Sequence, residues 1–158
     1  MPRKVTRKLQ RELKPDRKYS SVLIQRLINK SMLDGKKLTA EKAVYAALEQ
    51  ATKKLEQDDP VAVFERALRN IAPNFEVKSR RVGGANYQIP FPVSGHRQQH
   101  YAFSWLVQAA RARAGIPYSQ RLMLEIVDAY NETGAAFKKK EDTHRMAEAN
   151  RAFAHFAR

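Results

Sequence analysis

The chain has 158 residues, no cysteine, 43 % apolar residues and a formal net charge of +14 with a pI near 10.2. This length favours one domain with a real core, the apolar fraction argues against a disordered chain, and the absence of cysteine excludes disulfides and thiolate metal sites. The excess positive charge favours a polyanionic partner, most often a nucleic acid, and no apolar run approaches the roughly 20 residues that span a bilayer, so we expect no membrane association.

Residues 1–18 are predicted to form a basic arm, because they hold eight basic residues against two acidic ones and few large apolar side chains. A solvated tail is the alternative. The charge of the whole chain favours an arm that becomes ordered along RNA phosphates as counterions leave. Its expected phosphate contacts are Arg3, Lys4, Arg7 and Lys8.

Residues 19–158 are predicted to form a single helical domain. Ser20 or Ser21 caps a first helix that runs to about residue 33 and is stopped by Asp34 and Gly35. A second helix covers about 37–55, and a third begins at Asp58-Asp59-Pro60 and ends before Pro73.

Residues 75–93 alternate between apolar and polar side chains around Gly83-Gly84, which predicts a β-hairpin. A three-residue loop, residues 83–85, would pair Val82 with Asn86 and place both apolar rows on one face. We therefore expect Lys78 and Arg80 on the other, polar face. Arg81 is expected at the tip of the hairpin.

Three further helices are predicted. Ser94 caps a fourth that runs to about residue 114, a fifth covers about 119–132, and a sixth begins near residue 135 with an outer half that projects. Basic residues near the ends of helix four and along helix six are Arg97, Arg111, Arg113, Lys138, Lys139, Lys140 and Arg145. The predicted fold is mainly α: a six-helix, bundle-like body with a protruding β-hairpin between helices three and four, plus the basic arm.

Catalytic and metal chemistry find no support in the sequence. His96 and His100 have metal-ligand spacing, but they lack the glutamate of HExxH and have Arg97 between them. Glu125 and Asp128 are interpreted as a solvated face or as partners for the chain's own cations. No serine lies in a nucleophile elbow. We expect no enzyme activity, no cofactor and no bound metal.

Three segments resemble signature blocks of the small-subunit ribosomal protein seven family: NKSMLDGKK at 29–37, VKSRRVGGANYQIP at 77–90 and TGAAFKKKEDTHRMAEANRAFAH at 133–155. The similarity runs from about residue 13 to the end. Three blocks in this order are far more specific than any one of them. The chain departs from the family pattern at 92–97, where arginines are usual, and at Ser104, so the resemblance says least about contacts made by helix four.

The resemblance implies a primary binder of small-subunit ribosomal RNA that nucleates folding of the subunit head. It also implies a place near transfer RNA and messenger RNA at the exit site, contacts with small-subunit ribosomal proteins nine and eleven, a monomeric protein and a cytoplasmic or organellar ribosome. By matching position, the resemblance implies that seven residues face RNA: Lys30, Lys36, Lys37, Lys78, Arg80, Arg81 and Arg145. It also implies that Arg81, Gly83, Gly84 and the last helix lie near transfer RNA and messenger RNA.

From the residues, we expect the arm, the Lys36-Lys37 turn and the polar face of the hairpin to form one concave basic surface for a folded RNA junction. Shape would select the junction, because side chains cannot read the deep, narrow major groove of A-form RNA. A free-standing architectural protein that binds DNA or RNA is the alternative function.

Overall fold

A computed structural model describes residues 12–157 as a helical body carrying one β-hairpin, which confirms the predicted fold class. The elements in chain order are α1 (Val22–Ser31), α2 (Lys37–Lys54), α3 (Pro60–Ile71), β1 (Phe75–Val82), β2 (Ala85–Pro92), α4 (Gly95–Ala112), α5 (Tyr118–Tyr130), α6 (Gly134–Ala149) and a terminal 3-10 helix (Arg151–Ala157). No helix in this range is long and apolar enough to cross a membrane.

The helix starts follow the predicted capping chemistry at two of three positions. Ser21 accepts a hydrogen bond from the Ile24 N–H, and the Asp59 carboxylate accepts one of 2.8 Å from the Val61 N–H, with Pro60 as the first residue of α3. Ser94 lies at the N-cap position of α4, but its side chain makes no capping hydrogen bond, and only its backbone carbonyl accepts from the N–H groups of the first turn.

Helix α5 lies at the centre of the body and contacts α2, α3, α4 and α6. Its Leu122 and Ile126 are fully buried in the core with Phe64 of α3 and Leu106 of α4. Helix α4 also contacts α1, so the helix that carries predicted basic residues near both its ends packs against α1 and α5.

The predicted register of the hairpin is wrong. The loop has two residues, Gly83 and Gly84, and Val82 pairs with Ala85 rather than with Asn86. Both glycines have positive φ, +58° and +91°, as a type I′ turn requires, and such a turn matches the right-handed twist of the strands. Turn geometry therefore overrides the tendency to gather the apolar side chains on one face.

This register divides the apolar rows between the two faces of the hairpin. Tyr87, Ile89 and Phe91 share a face with the paired Arg80, Lys78 and Glu76, while Phe75 and Val77 lie on the opposite face. Ile89 is fully buried. Lys78 and Arg80 thus lie beside the row of apolar side chains from β2, contrary to the expected separation.

The C-terminal end does not project as predicted. The chain leaves the α-helical conformation after Ala149, and the terminal 3-10 helix packs against β2. The rings of Phe153 and Phe156 lie 5.1 and 5.5 Å from that of Tyr87, and the Phe156 carbonyl accepts a 2.8 Å hydrogen bond from Arg80. Tyr87 is therefore packed against the terminal 3-10 helix.

Candidate nucleic-acid interface

A first groove forms where the α1–α2 turn meets the end of α4 and the start of α5. It has a volume of about 390 Å³, and its lining includes Lys36, Arg111, Arg121 and Tyr118. The structure thus brings together two predicted RNA-binding residues that are far apart in sequence. Three cations around one recess form a site that can hold a phosphate.

The first groove is built on the last turn of α1. Tyr118 donates a 2.9 Å hydrogen bond to the Ser31 hydroxyl, and Arg111 donates one of 3.4 Å to the Ser31 carbonyl. Burial raises the pKa of the Tyr118 hydroxyl, which therefore remains a donor at neutral pH. Arg121 donates a 2.7 Å hydrogen bond to the Arg113 carbonyl, so its guanidinium is held at the groove wall.

The cations of the α1–α2 turn are accessible to a ligand. The side chain of Lys36 is 71 % exposed and that of Lys37 is 51 % exposed. Their ammonium groups lie 3.8 Å from the carboxylates of Asp34 and Glu41, respectively. Exposed ion pairs of this kind contribute little stability, so phosphate oxygens can replace the carboxylates.

A second groove lies between α1 and the N-terminal half of α4. It has a volume of about 320 Å³ and is lined by Arg26, Asn29, Lys30, His96, Gln99, His100 and Phe103. Arg26 bridges the two helices through a 2.5 Å hydrogen bond to the Gln99 side chain. Lys30 therefore lies beside a recess with two imidazole rings and no carboxylate among its lining residues.

The base of the hairpin is held by a buried carboxylate. Glu76 accepts hydrogen bonds of 2.6 Å from Arg97 and 2.5 Å from the Tyr101 hydroxyl on α4, and it pairs with Lys78 at 2.9 Å. Burial alone would raise the pKa of Glu76, but hydrogen bonds from these three partners outweigh it and lower the pKa to about 2. Lys78 and Arg97 thus orient the hairpin as well as carrying half-exposed positive charge.

The outer part of the hairpin carries the remaining predicted residues of this element. Arg80 contacts the terminal 3-10 helix, as described above. Arg81, Gly83 and Gly84 are exposed at and beside the turn. The tip therefore offers backbone N–H and C=O groups and one nearby guanidinium to a partner.

Arg113 is directed into the body. It pairs with Glu125 at 2.7 Å and with Asp128 at 2.5 Å, and the Glu125 side chain is only 1 % exposed. Of the two interpretations of these acids, Glu125 therefore fits an internal ion pair rather than a solvated face. A direct contact of Arg113 with RNA stays a prediction.

Helix α6 presents its predicted cations unevenly. Lys138, Lys139 and Arg145 are exposed, and the Arg145 side chain lies 3.8 Å from Asp142. Lys140 is partly buried and donates a 2.7 Å hydrogen bond to the Asn70 carbonyl, so it joins α6 to α3.

The predicted arm is described in part. Arg3, Lys4, Arg7 and Lys8 lie outside the described residues. Asp16, within the predicted arm, is buried and accepts hydrogen bonds from the Tyr19 and Ser21 N–H groups and from the Tyr45 hydroxyl of α2. Burial raises the pKa of Asp16, but these donors, with the Lys18 N–H, lower it below its ordinary value.

Sequence reasoning missed several residues that the fold adds to this surface. Arg26 has i, i+4 spacing to Lys30 on α1, a signal that the sequence does contain. The fold also brings in Arg121, Asn29 and Tyr101, which reach this surface beside residues distant in sequence. No local sequence pattern indicates them. Within residues 12–157 no group of three histidines, acids or cysteines could hold a metal ion.

Sequence comparison finds the same similarity over nearly the whole chain. A family model described as ribosomal protein S7p/S5e matches residues 2–151. A Dictyoglomus turgidum protein named small ribosomal subunit protein uS7 is 55 % identical, over 92 % of this chain and 93 % of that protein. Proteins with the same name from Chloroflexus aggregans and Hydrogenobaculum sp. are 53 % and 54 % identical, covering 94 % and 99 % of both chains.

Proposed function

The chain belongs to the ribosomal protein S7p/S5e family, and from that membership we propose that it binds small-subunit ribosomal RNA through the two grooves beside the end of α1. It is a structural, non-catalytic protein of the small ribosomal subunit. The observation that carries the RNA-binding proposal is the convergence of Lys36, Arg111 and Arg121 on one recess, with Lys30 and Arg26 lining the next.

The RNA surface continues from these grooves to the hairpin. Glu76 joins Arg97 of α4 to Lys78 of β1, so the N-terminal end of α4 and the hairpin base form one unit. A rigid surface of this length suits a folded junction, because its shape is matched without reordering the protein. A protein surface that holds a folded RNA junction in this way agrees with a role in nucleating the head of the subunit during assembly.

The exit-site role is proposed for the opposite end of the hairpin and for α6. Arg81 and the exposed glycine turn form the tip, and Lys138, Lys139 and Arg145 are exposed cations on α6, interspersed with the exposed Glu141 and Glu148. Such cations hold a phosphate backbone without reading its sequence, which suits transfer RNA and messenger RNA of varying sequence. Contacts with small-subunit proteins nine and eleven, the absence of a homo-oligomer and a place on a cytoplasmic or organellar ribosome belong to the same proposal.

The RNA proposal is tested with the Lys36→Ala, Lys37→Ala double variant and a transcript of the head region of small-subunit ribosomal RNA. Binding should weaken, and the negative slope of log K against log salt should become shallower by roughly 0.7 to 0.9 for each phosphate that the variant no longer neutralises. The matched control is Lys53→Ala, Lys54→Ala, which removes two exposed lysines at the other end of α2. An unchanged slope in the test variant, or an equal change in the control, would contradict the proposal.

A free-standing DNA-binding protein is the rival, and competition separates the two. Unlabelled ribosomal transcript should displace the labelled transcript, whereas an equal mass of duplex DNA should not. Sedimentation of the native protein with small subunits at moderate salt is the cellular counterpart of this test.

A further inference from the structure

The groove between α1 and α4 differs in chemistry from the groove beside Lys36. The α1/α4 groove has an apolar floor, Phe103, which is 6 % exposed, and its rim carries two side-chain amides and two imidazoles. The groove beside Lys36 has three cations, an aspartate, the Tyr118 ring and apolar side chains among its lining residues, but no side-chain amide and no imidazole. A phosphate requires only cations, so the amides, rings and apolar floor indicate a ligand with a flat, partly apolar body.

From this lining we propose that the α1/α4 groove takes a single unstacked nucleotide of the bound RNA, with its base in the recess and its phosphate at the rim. The inference rests on the proposed RNA-binding function and specifies one contact within it. The volume of about 320 Å³ lies within the range of small-ligand clefts. RNA-binding proteins recognise bases splayed out of loops and bulges by stacking and by hydrogen bonds to their edges.

The roles of the lining residues follow from where they are held. The Gln25 side-chain amide donates a 3.0 Å hydrogen bond to the side-chain Oδ1 of Asn29, which leaves the Asn29 side-chain N–H groups as donors for a base edge. The His100 ring is fixed at 6.1 Å from Tyr101 in an edge-on arrangement and offers a face for stacking. Lys30, at the end of α1, neutralises the adjoining phosphate.

Base contacts and phosphate contacts predict different behaviour in variants. The Asn29→Ala, His100→Ala double variant can neither stack on the base nor bond to its edge, so affinity for the head-region transcript should fall about tenfold with little change in the salt slope. Lys30→Ala should instead make the negative slope of log K against log salt shallower, because one phosphate is no longer neutralised. The matched controls are Gln108→Ala, a polar and exposed residue elsewhere on α4, and Lys53→Ala.

The deciding experiment is nucleotide-resolution chemical probing of the transcript bound to the full chain. Wild-type protein should change the reactivity of one unpaired nucleotide that returns to its unbound value with the Asn29→Ala, His100→Ala variant, while the rest of the footprint stays. A variant footprint identical to that of wild type at every nucleotide would overturn the inference and leave the groove to a protein segment. If wild-type protein fails to bind the transcript at all, the proposed function itself is wrong and this inference falls with it.

Discussion

Gly134 combines a positive φ with a close neighbour at the place where a side chain would begin. Its φ is +87°, and a Cβ added there would lie 2.7 Å from the Cβ of Asp128. Gly95 is the opposite case, since it begins α4 without positive φ and a Cβ would meet no atom within 4 Å.

Gly134→Ala should therefore destabilise the protein by about 1–3 kcal/mol, through backbone strain and displacement of Asp128. Gly95→Ala should be neutral or slightly stabilising. Urea unfolding followed by circular dichroism measures both variants. Equal stability for the two would show that the turn before α6 relaxes at no cost.

Glu76 makes stability depend on acidity. Its pKa is about 2 in the folded protein against an ordinary value of 4.5, so the unfolded chain binds the proton more readily. Its contribution, about 3 kcal/mol, is complete above pH 4.5 and is lost as pH falls towards 2.

Glu76→Gln should lower the free energy of unfolding at pH 7, and the gap between variant and wild type should narrow at pH 3. Denaturant midpoints at the two pH values test this. Glu148→Gln, at an exposed position on α6, is the control for loss of a negative charge. A gap of constant size would mean that the carboxylate charge is not what Arg97 and Tyr101 stabilise.

At the scale of elements, the hairpin and the terminal 3-10 helix support each other. A two-stranded ribbon is marginal in water by itself, and here Tyr87 on β2 packs against Phe153 and Phe156. The hairpin is therefore expected to owe much of its order to the last residues of the chain.

Phe156→Ala should increase amide hydrogen exchange in residues 75–92 while leaving exchange in α5 unchanged. Arg151→Ala, an exposed position in the same 3-10 helix, is the control. Hydrogen exchange followed by mass spectrometry resolves these segments. Faster exchange across the whole body would indicate that the 3-10 helix stabilises the entire fold.

Sequence reasoning succeeded where local chemistry decides the structure. Asp59 and Pro60 begin α3 as predicted, and Gly35 follows α1 with a φ of +71°. It failed on the hairpin register, because the Gly83-Gly84 turn prefers a two-residue loop. It also missed the contact between Glu76 and Tyr101, which joins elements that no spacing rule relates.

In the whole molecule, the net charge of +14 makes the stability of the free protein and its affinity for RNA respond to salt in opposite directions. Mutual repulsion of like charges destabilises the free protein, whereas phosphate binding depends on those same charges. Raising salt from about 0.05 to about 0.5 M shortens the screening length and weakens both effects.

The melting temperature of the free protein should therefore rise over this range of KCl while affinity for the ribosomal transcript falls. Differential scanning calorimetry and filter binding on the same samples measure the two quantities. A melting temperature that falls with salt would indicate that attractive ion pairs, such as those of Glu76 and Arg113, outweigh the repulsion.

The buried Asp16 is held by hydrogen bonds to the start of α1 and to α2, so the residues before it are covalently attached to a fixed point of the body. A chain extends at most about 3.5 Å per residue, so neither Arg3 nor Lys4 can lie more than about 45 Å from that point. Because this attachment is covalent, any contact between the arm's cations and phosphates near RNA-filled grooves is an intramolecular event at a high local concentration. Weak individual contacts by the arm would then lengthen the residence time of the complex.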